Sequence, residues 1–112
     1  MELLNKHKLD QLSSEIGASN VPILLDIFLN EMAQYIEALK DEGRDQEAYL
    51  KEICHALKSS AASFGAESLC ALAIEIDAKA KLGEMIDVEE TQEAMITLLT
   101  QTQQRYQTLL AK

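Results

Sequence analysis

Residues 50–65 read LKEICHALKSSAASFG, and the spacing of their apolar side chains predicts an α-helix. At ~100° of rotation per residue, Leu50, Ile53, Leu57, Ala61 and Phe64 gather on one stripe. His55 then points roughly 160° away from the middle of that stripe. Its imidazole faces solvent while the helix behind it is anchored in a core. The start of this helix is placed near Asp45 and its end before Gly65, a residue that takes the left-handed cap conformation without steric cost.

The same logic runs outward along the chain. Gly17, Gly43, Gly65 and Gly83 each stand where an apolar helical period breaks, so they divide the chain into five segments. The first, about residues 3–16, is short and uses Leu4, Leu9, Leu12 and Ile16 as a lid helix. The second is predicted to begin at Asn20 as N-cap, with Pro22 in the first turn, where its missing N–H costs nothing. Its stripe is Val21, Leu24, Leu25, Phe28, Met32, Tyr35, Ile36 and Leu39. The fourth, residues 66–82, presents Leu69, Leu72, Ala73, Ile76 and Ala80. The last opens on the capping pair Asp87 and Glu90 and continues through Thr91, Met95, Leu98, Thr102, Tyr106 and Leu109. Met and Tyr on these stripes read as core. An all-α fold follows, an antiparallel up-down-up-down four-helix bundle with a short extra N-terminal helix. The competing arrangement is a looser helical assembly completed by a partner.

Composition bounds the rest. The chain has 112 residues, enough for a single domain over residues 1–112 with one core. Hydrophobic residues make up 47%, which excludes a disordered chain. The formal net charge of −9 argues against nucleic acid or an anionic membrane as the ligand. Cys54 and Cys70 show no metal-ligand spacing and read as reduced, small, half-buried residues. No segment is apolar enough for a signal peptide or a membrane span, so a cytoplasmic protein is expected.

Around His55, helical spacing places Lys51, Glu52, Lys58 and Ser59 as near neighbours, with Ala48 and Ala62 a further turn away. Each has a use if the histidine carries a phosphoryl group. A neutral imidazole is nucleophilic. Lys58 and Lys51 offer cations to phosphoryl oxygens. The small side chains of Ser59 and Ala62 let another protein's pocket close over the ring, where a misplacement of about 1 Å costs ~100-fold in rate. The plain alternative is an ordinary solvated histidine with lysines nearby, and local pattern alone leaves both readings open. No second His, Cys or carboxylate stands at ligand spacing from His55, so no metal is expected. His7, between Lys6 and Lys8, reads as solvated.

His55, Leu57, Lys58, Ser59 and Gly65 match the signature of the histidine-containing phosphotransfer (Hpt) family, and the chain resembles that family over its whole length. The stretches VPILLDIFLNEM (residues 21–32) and HALKSSAASFGAESLC (residues 55–70) resemble its stand-alone quorum-sensing branch. Ser59 departs from the wider pattern, which has Gly there. The resemblance implies a monomeric phosphorelay intermediate. His55 would accept a phosphoryl group on its outer ring nitrogen from a receiver-domain aspartate of a hybrid sensor kinase, then pass it to the aspartate of a response regulator. Lys58 would stabilise phosphoryl charge, and Lys51, Ser59 and Ala62 would face the partner. Gly65 would be structural. Mg²⁺ would belong to the receiver, with no cofactor bound by this chain. No P-loop or kinase glycine motif is present, so neither ATP binding nor self-phosphorylation is expected. The alternative function is a non-catalytic helical module that binds a receiver domain without accepting phosphate.

Overall fold

Asp45 starts the helix that bears His55. Its backbone is extended, and its side chain accepts a hydrogen bond from the Ala48 N–H at 3.2 Å, satisfying one of the donors that a helix start leaves free. Asp87 does the same for the last helix, accepting from Glu90 N–H at 3.1 Å. Asn5 caps the first helix by accepting from Lys8 N–H at 3.3 Å. The computed structural model describes residues 2–41, 43 and 45–111. Among them it contains five α-helices and no strand: α1 (Lys6–Ile16), α2 (Val21–Leu39), α3 (Gln46–Phe64), α4 (Glu67–Lys81) and α5 (Val88–Leu110).

One capping expectation fails. Asn20 has helical backbone angles and caps nothing at the start of α2; its Nδ2 donates instead to the Ile16 carbonyl at 2.7 Å. The chain winds through a single 3₁₀ turn, Ala18–Asn20, so the Asn20 side chain falls beside the end of α1. Pro22 does sit in the first turn of α2.

The predicted stripes supply most of the core, although Val21, Leu24, Tyr35, Leu72, Ala80, Thr91, Leu98 and Leu109 are only partly buried. Leu25, Phe28, Met32, Ile36, Leu39, Leu50, Ile53, Leu57, Ala61, Leu69, Ala73, Ile76, Met95 and Tyr106 are all buried, joined by Leu29 and Leu99. α3 packs chiefly on α4 and α2 chiefly on α5, while α1 lies mainly against α3. Two burial expectations need correction. Cys54 is fully buried rather than half-buried, because it lies between Leu50 and Leu57 on the inner face and a short thiol fits between helices. Burial, with the charge of Asp77 adding to it, pushes its thiol up to about 12. Phe64, the last residue of its helix, is only half-buried. Its ring stacks on Phe28 with centroids 4.5 Å apart, and Tyr106 meets Phe28 edge-on at 5.6 Å. The Tyr106 hydroxyl donates to the Phe64 carbonyl at 2.6 Å, tying α5 to the end of α3.

Gly65 is needed for two separate reasons. Its φ of +78° is left-handed, and a Cβ there would lie 2.6 Å from the Asn5 carbonyl oxygen. The approach is that close because Asn5 N–H donates to the Gly65 carbonyl at 2.7 Å. The Asn5 side chain also donates to Glu67, and Ser68 donates to the Glu2 carbonyl through both its N–H and its hydroxyl. The residues ahead of α1 thus strap the junction between α3 and α4.

Candidate functional site

His55 projects from the outer face of α3 with 69% of its side chain exposed. Beneath it lies Asp77 of α4, only 8% exposed, whose Oδ1 stands 3.4 Å from His55 Nδ1. The other carboxylate oxygen, Oδ2, receives Lys58 Nζ at 2.7 Å and Lys81 Nζ at 2.9 Å. A carboxylate this far out of water is costly to ionise unless it is paired and hydrogen-bonded. Here the hydrogen bonds from Lys58 and then Lys81 outweigh the effect of burial and hold the Asp77 carboxyl well below the usual carboxylate range. Asp77 in return raises Lys58 above the ordinary lysine value.

The backbone explains why these four side chains meet. Lys58 is one turn beyond His55 on α3, and Lys81 is one turn beyond Asp77 on α4. The packing of α3 on α4 then sets the two pairs against each other. Oδ1 of Asp77 lies opposite Nδ1, so a proton held there leaves the lone pair of Nε2 on the outer side of the ring. That is the arrangement of an oriented nucleophile: one nitrogen faces a carboxylate and the other is open.

The remaining site candidates are dispersed. Lys51 pairs with Glu47 on its own helix at 3.5 Å and takes no part in the Asp77 cluster. Ser59 is exposed one turn beyond His55, and its carbonyl accepts from the Ser63 hydroxyl at 3.1 Å. Ala62 is exposed at the edge of an open groove between α3 and α4 lined by Ala61, Gly65, Cys70, Ala71 and Ile74. Gly65 is buried at the helix end. Among the described residues, no group of three or more His, Cys, Asp or Glu side chains is arranged to hold a metal ion.

Asp77 and Lys81 were absent from the residues that sequence spacing singled out. Their signal was present but indirect. Asp77 directly follows Ile76 and stands four residues after Ala73, so it falls on the margin of the apolar stripe, where a lone carboxylate requires a partner. Lys81, four residues on, is one such partner.

A family comparison matches residues 23–105 to the Hpt domain. This chain belongs to the Hpt domain family. Among curated relatives, this Hpt domain is 55% identical over 107 residues to the phosphorelay protein LuxU of Vibrio vulnificus strain YJ016, covering 95% of this chain and 93% of the relative. It is 54% identical over 110 residues to the LuxU of Vibrio cholerae, with 97% of both chains covered. Against the LuxU of Vibrio harveyi the identity is 52% over 106 residues, covering 94% and 93%. No solved structure gives a significant match. No single helix among the described residues is long and apolar enough to cross a membrane.

Proposed function

We propose that this Hpt domain is a phosphorelay intermediate of a bacterial quorum-sensing pathway, with His55 as the phosphoryl acceptor. The observation that carries the assignment is the exposed imidazole whose Nδ1 lies 3.4 Å from the buried Asp77 carboxylate. In the forward step the Nε2 lone pair attacks the phosphorus of an aspartyl phosphate on a receiver domain. The P–O bond to that aspartate breaks, and its electron pair leaves with the receiver's carboxylate. The product ring carries the phosphoryl group on Nε2, retains its proton on Nδ1 and is cationic, with Asp77 as counter-charge. The second transfer reverses these bond changes toward a different receiver aspartate. Lys58 offsets charge on the moving phosphoryl oxygens.

In this reading α2 to α5 form an antiparallel up-down-up-down bundle within one domain spanning residues 1–112, and α1 is an added N-terminal helix. The protein acts as a cytoplasmic monomer. Its donor is the receiver domain of a hybrid sensor kinase, and its acceptor is a response regulator similar to LuxO. The Mg²⁺ and the acidic pocket for phosphoryl chemistry belong to those receivers, and ATP binds elsewhere in the relay. Lys51, Ser59 and Ala62 lie on the surface that meets them, with Ser59 and Ala62 supplying the small side chains that permit close approach.

Incubation with a radiolabelled phosphorylated receiver domain tests the assignment. The wild-type chain takes up label, and His55→Gln takes up none. Equal labelling of both proteins would remove His55 as the acceptor. Signalling in cells by His55→Gln at the wild-type level would replace the phosphorelay reading with that of a binding module.

A further inference from the structure

Lys81 lies outside the signature that marks His55 and Lys58, yet its Nζ reaches the same Asp77 oxygen, at 2.9 Å against 2.7 Å for Lys58. One ammonium is sufficient to balance one buried carboxylate. The second gives the trio of Asp77, Lys58 and Lys81 a surplus positive charge directly beside His55, in a chain whose formal net charge is −9. Each ammonium has three N–H donors and uses one on Asp77, so donors remain for another acceptor. The Lys81 side chain is 60% exposed against 30% for Lys58, so more of it is open to solvent.

We infer that Lys81 is a second phosphoryl-binding cation of this site, and that Asp77 holds both lysines in reserve until His55 carries the phosphoryl group. The inference rests on the phosphorelay reading of His55. Its logic is a closed exchange of charge. The arriving phosphoryl group brings two negative charges and acceptor oxygens to the outer nitrogen of the ring. N–H donors of Lys58 and Lys81 shift from Asp77 Oδ2 to those oxygens, with no covalent bond made or broken at either lysine. The ring has meanwhile become a cation with its proton on Nδ1, opposite Asp77 Oδ1. The imidazolium therefore replaces the lysines as partner of the buried carboxylate. The surplus positive charge of the resting site is matched once the phosphoryl group is in place, with two ammoniums and one imidazolium against Asp77 and the doubly charged phosphoryl group. When the phosphoryl group departs, the ring becomes neutral and Asp77 recaptures the lysines.

The test uses the full chain phosphorylated with the small donor phosphoramidate and followed by ³¹P NMR across pH. Two nearby cations favour the doubly charged phosphoryl form. Lys81→Ala should therefore raise the protonation midpoint of the phosphohistidine resonance by about half a pH unit or more. Lys81→Arg should restore most of the shift, and circular dichroism confirms that the exposed substitutions leave the helices intact. A midpoint in Lys81→Ala equal to wild type, with Lys58→Ala shifted, overturns the inference and leaves the phosphorelay reading standing. A resonance that persists in His55→Gln removes that reading and the inference with it.

Discussion

Asp77 folds with its carboxylate nearly out of water, and two lysines govern how it titrates. Its folded-state value lies below the ordinary 3.8, through the hydrogen bonds from Lys58 and Lys81. A carboxyl that binds its proton more weakly when folded stabilises the fold above the unfolded value. That contribution is lost as pH falls through the depressed folded value. Asp77→Asn should therefore cost its full amount in urea melts at about pH 7, start to cost less only below the ordinary 3.8, and cost little only once the pH is below the depressed folded value. An equal cost across that whole range would disconnect Asp77 from the acid sensitivity of the fold. Lys58→Ala should slow phosphoryl acceptance by about tenfold or more in a receiver-transfer time course, because it removes a cation from the reacting oxygens. Its melting temperature should change little, since Lys81 still pairs with the buried carboxylate. A large drop in melting temperature would show that Lys81 cannot compensate.

Among the helices, α3 depends most on how it ends. Gly65 and Gly83 both have positive φ, +78° and +71°, but their surroundings differ. A Cβ on Gly83 meets nothing within 4 Å, whereas one on Gly65 runs into the Asn5 backbone. Gly83→Ala should cost about 1 kcal/mol, the conformational penalty alone. Gly65→Ala should cost about 3 kcal/mol, with strain and the displaced strap added together. Chemical denaturation of the two variants measures the difference, and equal costs would mean that the strap yields freely. The αL cap was legible from the break in apolar period at Gly65. The collision was not, because Asn5 lies sixty residues away in the chain. Asn20 shows the converse. Its residue type favours an N-cap, but the 3₁₀ turn ahead of α2 gives it helical angles and sends its side chain to Ile16.

Across the whole molecule, the aromatic contact of Phe28, Phe64 and Tyr106 joins α2, α3 and α5 at the end that holds Gly65. A fully buried Phe truncated to Ala costs about 3–5 kcal/mol. Because Phe64 is half-buried, Phe64→Ala should cost about 2 kcal/mol, read from a urea midpoint. A loss as large as that of a fully buried ring would place Phe64 deeper than its exposure indicates. His55 stands about two and a half helical turns from this contact, so the variant should still accept phosphate at temperatures where it is folded.

Local sequence was enough for the helices, the start near Asp45, the cap at Asp87, most of the inward stripes and the outward direction of His55. All of these depend on residues within four positions of each other, the range over which helical periodicity and capping act. It was also enough for the membership of His55, Lys58 and Gly65 in one motif. The partners of that motif were decided only by tertiary structure. Asp77 meets His55 because α3 and α4 pack in one particular register, and helical period alone carries no information about the register between two helices. Burial of Cys54 has the same origin, since it depends on the helices packed against α3, whereas the half-exposure of Phe64 goes with its place at the end of α3. The nucleophile was thus legible from its own helix, while the carboxylate and second lysine that give it a charge environment belong to the fold.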